Sequence, residues 1–134
     1  MITVVICTHN RSRLLFQTID SLNRATKPEK LPVEILIIAN ACRDSTVEKL
    51  EHYIQSRTDK QLRLTYQEEP VAGKSHALNR AIGLVDDGFI CFVDDDHRVD
   101  TEFFSAIDQA INDSPEPLML CGKIIPDWTG KEPE

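Results

Sequence analysis

Three adjacent aspartates, Asp94, Asp95 and Asp96, follow an apolar stretch and precede His97. Adjacent carboxylates repel one another unless a cation lies close to them. Side chains alternate in direction along an extended chain, so Asp94 and Asp96 can share a divalent ion while Asp95 points away. Mg²⁺ or Mn²⁺ typically takes one or two carboxylates together with phosphate oxygens of a substrate. The triplet predicts a metal site at Asp94 and Asp96, although acidic residues also end many strands without binding an ion.

Lys74 lies at the start of a segment with helical period and is a second candidate for phosphate chemistry. A P-loop requires a glycine five positions before Gly-Lys-Ser, and Glu68 stands there, so we exclude that motif. The N-terminus of a helix nevertheless carries partial positive charge, and Lys74 beside it can hold a phosphate. A glycine turn with a solvated lysine explains the same residues equally well.

Short apolar runs alternate along the chain with longer segments of helical period. The apolar runs are residues 2–7, 33–39, 62–66, 89–93 and 118–125. The segments with helical period are residues 12–25, 45–57, 74–85 and 101–113. This order predicts an α/β fold: a mostly parallel, Rossmann-like sheet of about five strands, with four helices distributed over both faces. We expect one domain over residues 1–126, followed by a polar tail over 127–134.

Polar residues follow each of the first four predicted strands. They occupy residues 8–11, 40–44, 67–74 and 94–97. In a parallel α/β sheet, ligands bind beyond the carboxyl ends of the strands, where the strand order reverses. We therefore expect these loops to form one binding site.

The composition excludes some classes of function. The chain has 134 residues with 15 basic and 22 acidic side chains, a net charge of −7, and no basic stripe for nucleic acid. It contains neither a signal-peptide pattern nor an apolar run long enough for a transmembrane helix, so we expect a cytoplasmic protein. The four cysteines lack zinc-site spacing, and we expect them to be reduced.

Four motifs, in this order, resemble those of the family 2 glycosyltransferases of GT-A fold. They are "VVICTHNR", "ILIIANACRDST", "GKSHALNRAI" and "FICFVDDDH", and "CGKIIPDW" is similar to a later stretch of some members. The last of the four motifs carries the DxD signature. Cys7 replaces the usual proline and His9 the usual aromatic residue. Ala39 and Asn40 stand where the family usually has acidic residues, one of which reads the nucleotide base.

The resemblance implies a nucleotide-sugar donor, a Mg²⁺ or Mn²⁺ ion and a role for each matching residue. Thr8 and Asn40 would face the base and ribose, and Lys74 and Asn79 the diphosphate. Asp94 would contact the ribose or the metal, and Asp96 the metal. The implied donor-binding set is Thr8, Asn10, Asn40, Lys74, Asn79, Asp94 and Asp95, and the implied metal ligands are Asp94 and Asp96.

The resemblance also implies transfer of the sugar to an acceptor hydroxyl, with inversion at the sugar carbon. Such a reaction needs a carboxylate that deprotonates the acceptor. We expect this base beyond Glu134, so that the chain is the donor-binding portion of a longer enzyme and is inactive when isolated. The acceptor class, whether glycan, lipid-linked or protein, stays open. The alternative is a non-catalytic module that binds a nucleotide or nucleotide sugar.

Overall fold

The computed structural model describes residues 1–114, 116 and 119–127, and the bounds below refer to those residues. The strands are β1 (Ile2–Thr8), β2 (Val33–Asn40), β3 (Arg63–Glu69) and β4 (Phe89–Phe92). The helices are α1 (Ser12–Arg24), α2 (Thr46–Ser56), α3 (Lys74–Ile82) and α4 (Phe103–Asp113). Strand and helix alternate throughout, which confirms the predicted α/β fold.

All strand pairs in the described sheet are parallel, and the strand order is β3-β2-β1-β4. The central strand β1 pairs with β2 from Ile2 to Thr8 and with β4 from Ile2 to Val5. Strands that are covered on both faces read as nearly continuous apolar runs. This explains why β1 and the second half of β2 are buried almost without a break.

Helices cover both faces of the sheet, but unequally. One face packs against apolar side chains of α1, α2 and α4, represented by Leu15, Leu50 and Phe104. The other face packs against α3 through Ala77 and Ala81, which are spaced four residues apart and fully buried. Small alanine side chains let the backbone of α3 approach the sheet closely.

The position of α3 follows from the handedness of parallel connections. The chain first moves outward from β1 to β2 to β3, and then returns across the sheet to β4 on the other side of β1. Crossovers between parallel strands are right-handed, so the returning connection must pass over the opposite face. The strand order therefore reverses between β1 and β4, which is where ligands bind in this class of sheet.

The fifth strand predicted over residues 118–125 is wrong for the described residues 119–125, which form no strand. Met119, Ile124 and Ile125 are 90%, 71% and 73% exposed. An apolar run becomes a strand only when a neighbouring strand satisfies its backbone hydrogen bonds, and nothing in the described sheet pairs with this run. The predicted tail lies outside the described residues except for Asp127, so the domain boundary at 126 stays a prediction.

Two further sequence expectations concern membranes and cysteines. Among the helices of the described ranges, none has the length and apolar character that crossing a lipid bilayer requires. The four cysteines are free thiols. Burial raises the pKa of the Cys91 thiol to about 11, so this side chain stays protonated at neutral pH.

The first prediction concerns Gly88, which directly precedes β4 and lies next to Met1 at the start of β1. Gly88 has φ +95°, and a Cβ at this position would collide with the carbonyl oxygen of Met1, which accepts the Phe89 amide proton. We expect Gly88→Ala to lower the free energy of unfolding in urea by about 1–3 kcal/mol, because alanine is strained at this φ and clashes with backbone. Gly122→Ala is the matched control, since a Cβ there meets no atom within 4 Å. Equal stability of the two variants would contradict this account of the β1–β4 junction.

Candidate functional site

The candidate site lies at the carboxyl ends of β1 and β4, where the strand order reverses. Residues Asp94–His97 form a turn after β4, closed by a 3.1 Å hydrogen bond from the His97 amide to the Asp94 carbonyl oxygen. One ligand atom each from Asp94, Asp96 and His97 lies within 4.8 Å of the others. The turn thus brings the two predicted metal ligands together and adds an imidazole to them.

Two cationic side chains approach the acidic turn from different elements. Lys74 Nζ lies 2.7 Å from Asp94 Oδ1, and Arg11 NH1 lies 3.5 Å from Asp96 Oδ2. The hydrogen bond to Asp94 raises the pKa of Lys74, so the ammonium form is favoured. These two cations offset part of the repulsion among the three carboxylates.

A groove of about 510 Å³ opens beside the acidic turn, between α3 and β4. Its polar lining consists of Lys74, Ser75, Asn79 and Asp94. Its apolar lining consists of Val5, Cys7, Leu78, Ile82, Phe92 and Val93. The structure therefore brings Lys74 and Asn79 of α3 together with Asp94, which follows β4.

The side chain of Asp95, in the middle of the turn, points into the protein and is only 8% exposed. Its Oδ2 accepts a 2.7 Å hydrogen bond from Thr8 Oγ1, and its Oδ1 accepts a 3.3 Å hydrogen bond from Arg11. Thr8 is itself 2% exposed. The side chains of Thr8 and Asp95 thus bind each other within the protein and do not face the groove.

Asn40, at the end of β2, is 6% exposed and holds the loop between β3 and α3. Its Nδ2 donates to the carbonyl oxygens of Glu69 at 3.2 Å and Val71 at 2.7 Å. Its Oδ1 accepts a 2.8 Å hydrogen bond from the Gly73 amide. Both amide protons and the oxygen are therefore engaged with backbone just before Lys74.

Asn10 connects the first two loops of the site. It adopts φ +52°, a left-handed conformation that asparagine tolerates better than most residues. Its Oδ1 accepts hydrogen bonds from the backbone amides of Arg43 at 2.7 Å and Asp44 at 3.2 Å. The adjacent His9 donates from Nδ1 to the Asn40 carbonyl oxygen at 2.7 Å. Asn10 and His9 thus fix the loops after β1 and β2 against each other.

The sequence profile of the family described as "Glycosyl transferase family 2" matches residues 3–130, nearly the whole chain. The chain belongs to glycosyl transferase family 2. It is 20% identical over 135 residues to the glucosyl-dolichyl phosphate glucuronosyltransferase of Haloferax volcanii. That alignment covers 99% of this chain and 41% of the relative.

Solved structures show which fold the chain shares. TarS of S. aureus superposes with a TM-score of 0.71 and 20% identity, over 84% of this chain and 32% of TarS. TarS in complex with UDP-GlcNAc gives a TM-score of 0.68 and 22% identity, over 84% of this chain and 31% of that one. Mannosyltransferase PcManGT from Pyrobaculum calidifontis, in complex with GDP-Man and Mn²⁺, gives 0.61 and 26% identity, over 71% of this chain and 27% of that one. The predicted GT-A type of fold is confirmed, and the chain spans about a third of the length of these proteins.

Within this family 2 domain, the structure brings to the acidic cluster two residues that lie in the predicted site loops but were given no individual role from the sequence. His97 joins the acidic cluster because the turn reverses the chain within four residues. Arg11 reaches the cluster from the loop after β1, 84 residues before Asp95. The signal for His97 was its position beside the triplet, whereas no local pattern links Arg11 to a particular carboxylate.

The second prediction tests the role of Asn40 in holding the loop before Lys74. We expect Asn40→Asp to destabilise the protein by about 1–3 kcal/mol, because a buried carboxylate would face the carbonyl oxygens of Glu69 and Val71 without donors. The introduced carboxyl should have a raised pKa, so the loss should grow as the pH rises through that pKa. Urea unfolding between pH 5 and 8 measures both effects.

Asn112→Asp is the control, because Asn112 is exposed on α4 and its amide makes one hydrogen bond, to the Asp108 carbonyl oxygen. We expect a much smaller loss there. Unchanged stability of Asn40→Asp at every pH would show that the Asn40 hydrogen bonds do not hold the loop.

Proposed function

We propose that this chain binds the nucleotide-sugar donor and a divalent metal ion in a glycosyltransferase of family 2. The observation that carries the proposal is the cluster of Asp94, Asp96 and His97 at the point of strand reversal, with Lys74 beside it and the groove opening next to it. Family membership supports the transferase reaction. The metal, the donor-binding role and the inverting course are parts of the proposal.

The side chains offered as metal ligands suit Mg²⁺ or Mn²⁺. Asp94 and Asp96 are about half exposed, so both offer carboxylate oxygens to an ion from solvent, and the His97 ring lies within reach. A bound divalent ion would offset the negative charge that grows on the departing nucleoside diphosphate. Asp94 would help to hold the ion, and Lys74, at the start of α3, would then be available to a phosphate oxygen of the donor.

The other predicted donor residues divide into two groups. Lys74 and Asn79 line the groove and are proposed to contact the diphosphate. The side chains of Thr8, Asn10 and Asn40 form hydrogen bonds between loops. We propose that these three residues shape the site of the base and ribose through the backbone that they fix.

Activation of the acceptor requires a residue that we do not place within this chain. We place the carboxylate that deprotonates the acceptor outside residues 1–134, which accords with the chain covering 41% of its relative from Haloferax volcanii. A second candidate is a nucleotide-sugar-binding module without transferase activity, which would use the same acidic cluster and groove. Release of free sugar from a donor at the rate seen in buffer alone would favour the module. The cytoplasmic location stays a prediction from the sequence.

The third prediction concerns the dependence of donor binding on metal. We expect UDP or GDP to raise the melting temperature by several degrees in the presence of Mn²⁺ and not in the presence of EDTA. A ligand at one hundred times its Kd stabilises the folded state by about 2.7 kcal/mol. Differential scanning fluorimetry with both nucleotides and their sugar derivatives measures this shift.

Asp96→Ala should abolish the metal-dependent shift, because it removes one of the two carboxylates offered to the ion. Asp86→Ala is the matched control: it removes the same charge from an exposed position before β4, at the opposite edge of the sheet. The control should retain the full shift. A wild-type protein that shows no shift with any nucleotide would refute the proposed function.

A further inference from the structure

The middle aspartate of the triplet is held differently from its neighbours. The Asp95 side chain is 8% exposed, whereas those of Asp94 and Asp96 are 49% and 47% exposed. The Asp95 carboxylate accepts hydrogen bonds from Thr8 and Arg11, and both oxygens are used. A buried carboxylate needs such partners, because burial without them disfavours its charged form. Asp95 is therefore anchored to the end of β1 and the loop that follows it.

A second anchor holds the backbone of the same turn. Thr18 lies on α1 with no exposed surface, and its hydroxyl is 3.0 Å from the Asp95 carbonyl oxygen and 2.7 Å from the His97 carbonyl oxygen. The Leu14 carbonyl oxygen lies at 3.3 Å. A hydroxyl has one proton, so Thr18 shares its donation among these carbonyls. The hydroxyl thus faces two carbonyl groups of the turn from beneath.

We propose that Asp95 and Thr18 are positioning residues for the candidate metal site, an inference that rests on the metal binding of the proposed function. Because hydrogen bonds hold the Asp95 side chain inside the protein, the neighbouring side chains of Asp94 and Asp96 point toward solvent. Thr18 holds the backbone between Asp95 and His97, which keeps the imidazole beside the two carboxylates. The carboxylates of Asp94 and Asp96 would otherwise move apart, because like charges repel and the turn is exposed.

Arg11 links the buried carboxylate of Asp95 to the exposed carboxylate of Asp96. Arg11 NH1 lies 3.3 Å from Asp95 Oδ1 and 3.5 Å from Asp96 Oδ2, so one guanidinium spans the buried and the exposed carboxylate. Groups that orient metal ligands without touching the ion commonly change metal affinity 10–100-fold when they are removed. Asp95 and Thr18 have the position of such groups.

The test measures Mn²⁺ binding to the whole chain by the loss of the EPR signal of free Mn²⁺. We expect Thr18→Val and Asp95→Asn each to weaken Mn²⁺ binding about 10–100-fold. Thr18→Ser retains the hydroxyl and should restore affinity to within a few-fold of wild type. Thr3→Val is the matched control, because Thr3 is 2% exposed at the opposite end of β1 and its hydroxyl points to Glu34.

The outcomes separate this proposal from the proposed function. Wild-type protein that binds no Mn²⁺ would overturn the proposed function and the positioning role with it. Wild-type binding that Thr18→Val and Asp95→Asn leave unchanged would overturn the positioning role alone, as would an equal loss in Thr3→Val. If Thr18→Val fails to fold, Asp95→Asn decides, since its side chain keeps the size of the native one and an oxygen that accepts from Thr8.

Discussion

The pairing of β1 along both of its edges fixes the geometry of the whole domain. Because β2 extends the sheet on one side and β4 on the other, the ends of β1 and β4 meet where the chain reverses its direction across the sheet. Helices on both faces then bury β1, and the loops that follow β1 and β4 leave the sheet side by side at the carboxyl edge. The hydrogen bond from Thr8 to Asp95 joins the two strands at that edge. The acidic turn is therefore an extension of the β1–β4 pairing.

The acidic turn is electrostatically costly, and its surroundings reduce the cost in two ways. Below the turn, hydroxyl and guanidinium donors satisfy the buried carboxylate. Above it, Lys74 neutralises an exposed carboxylate at 2.7 Å. An exposed ion pair contributes little to stability in water, so Lys74 can exchange partners at small cost. The contacts of the buried Asp95 carboxylate are harder to disturb, because breaking them would leave a buried charge without a partner. The turn thus combines a buried carboxylate whose contacts are fixed with an exposed carboxylate whose counter-ion, Lys74, can be replaced.

The fold was predictable because alternation of apolar runs and helical segments leaves few arrangements for a chain of this size. The position of Lys74 beside Asp94 followed from the rule that strand ends share an edge, whereas Asn79 was expected there only from the resemblance to the family. The engagement of Asn40 with the loop before Lys74 could not be predicted, because the sequence carries no sign of which backbone groups an amide will meet. The same holds for Thr8, whose hydroxyl pairs with a carboxylate 87 positions away. The prediction of a strand over 118–125 is wrong for the described residues 119–125, because apolar content does not provide a hydrogen-bonding neighbour.

The two outer strands of the described sheet differ in chemistry. The exposed side chains of β3 include Arg63, Gln67 and Glu68, and charged edges discourage the addition of another strand. The outer edge of β4 is only four residues long and carries Phe89 and Phe92, which are 38% and 54% exposed. Apolar edges favour strand addition. Charge thus protects the β3 edge against the addition of an extended segment, whereas at β4 the shortness of the strand limits such addition.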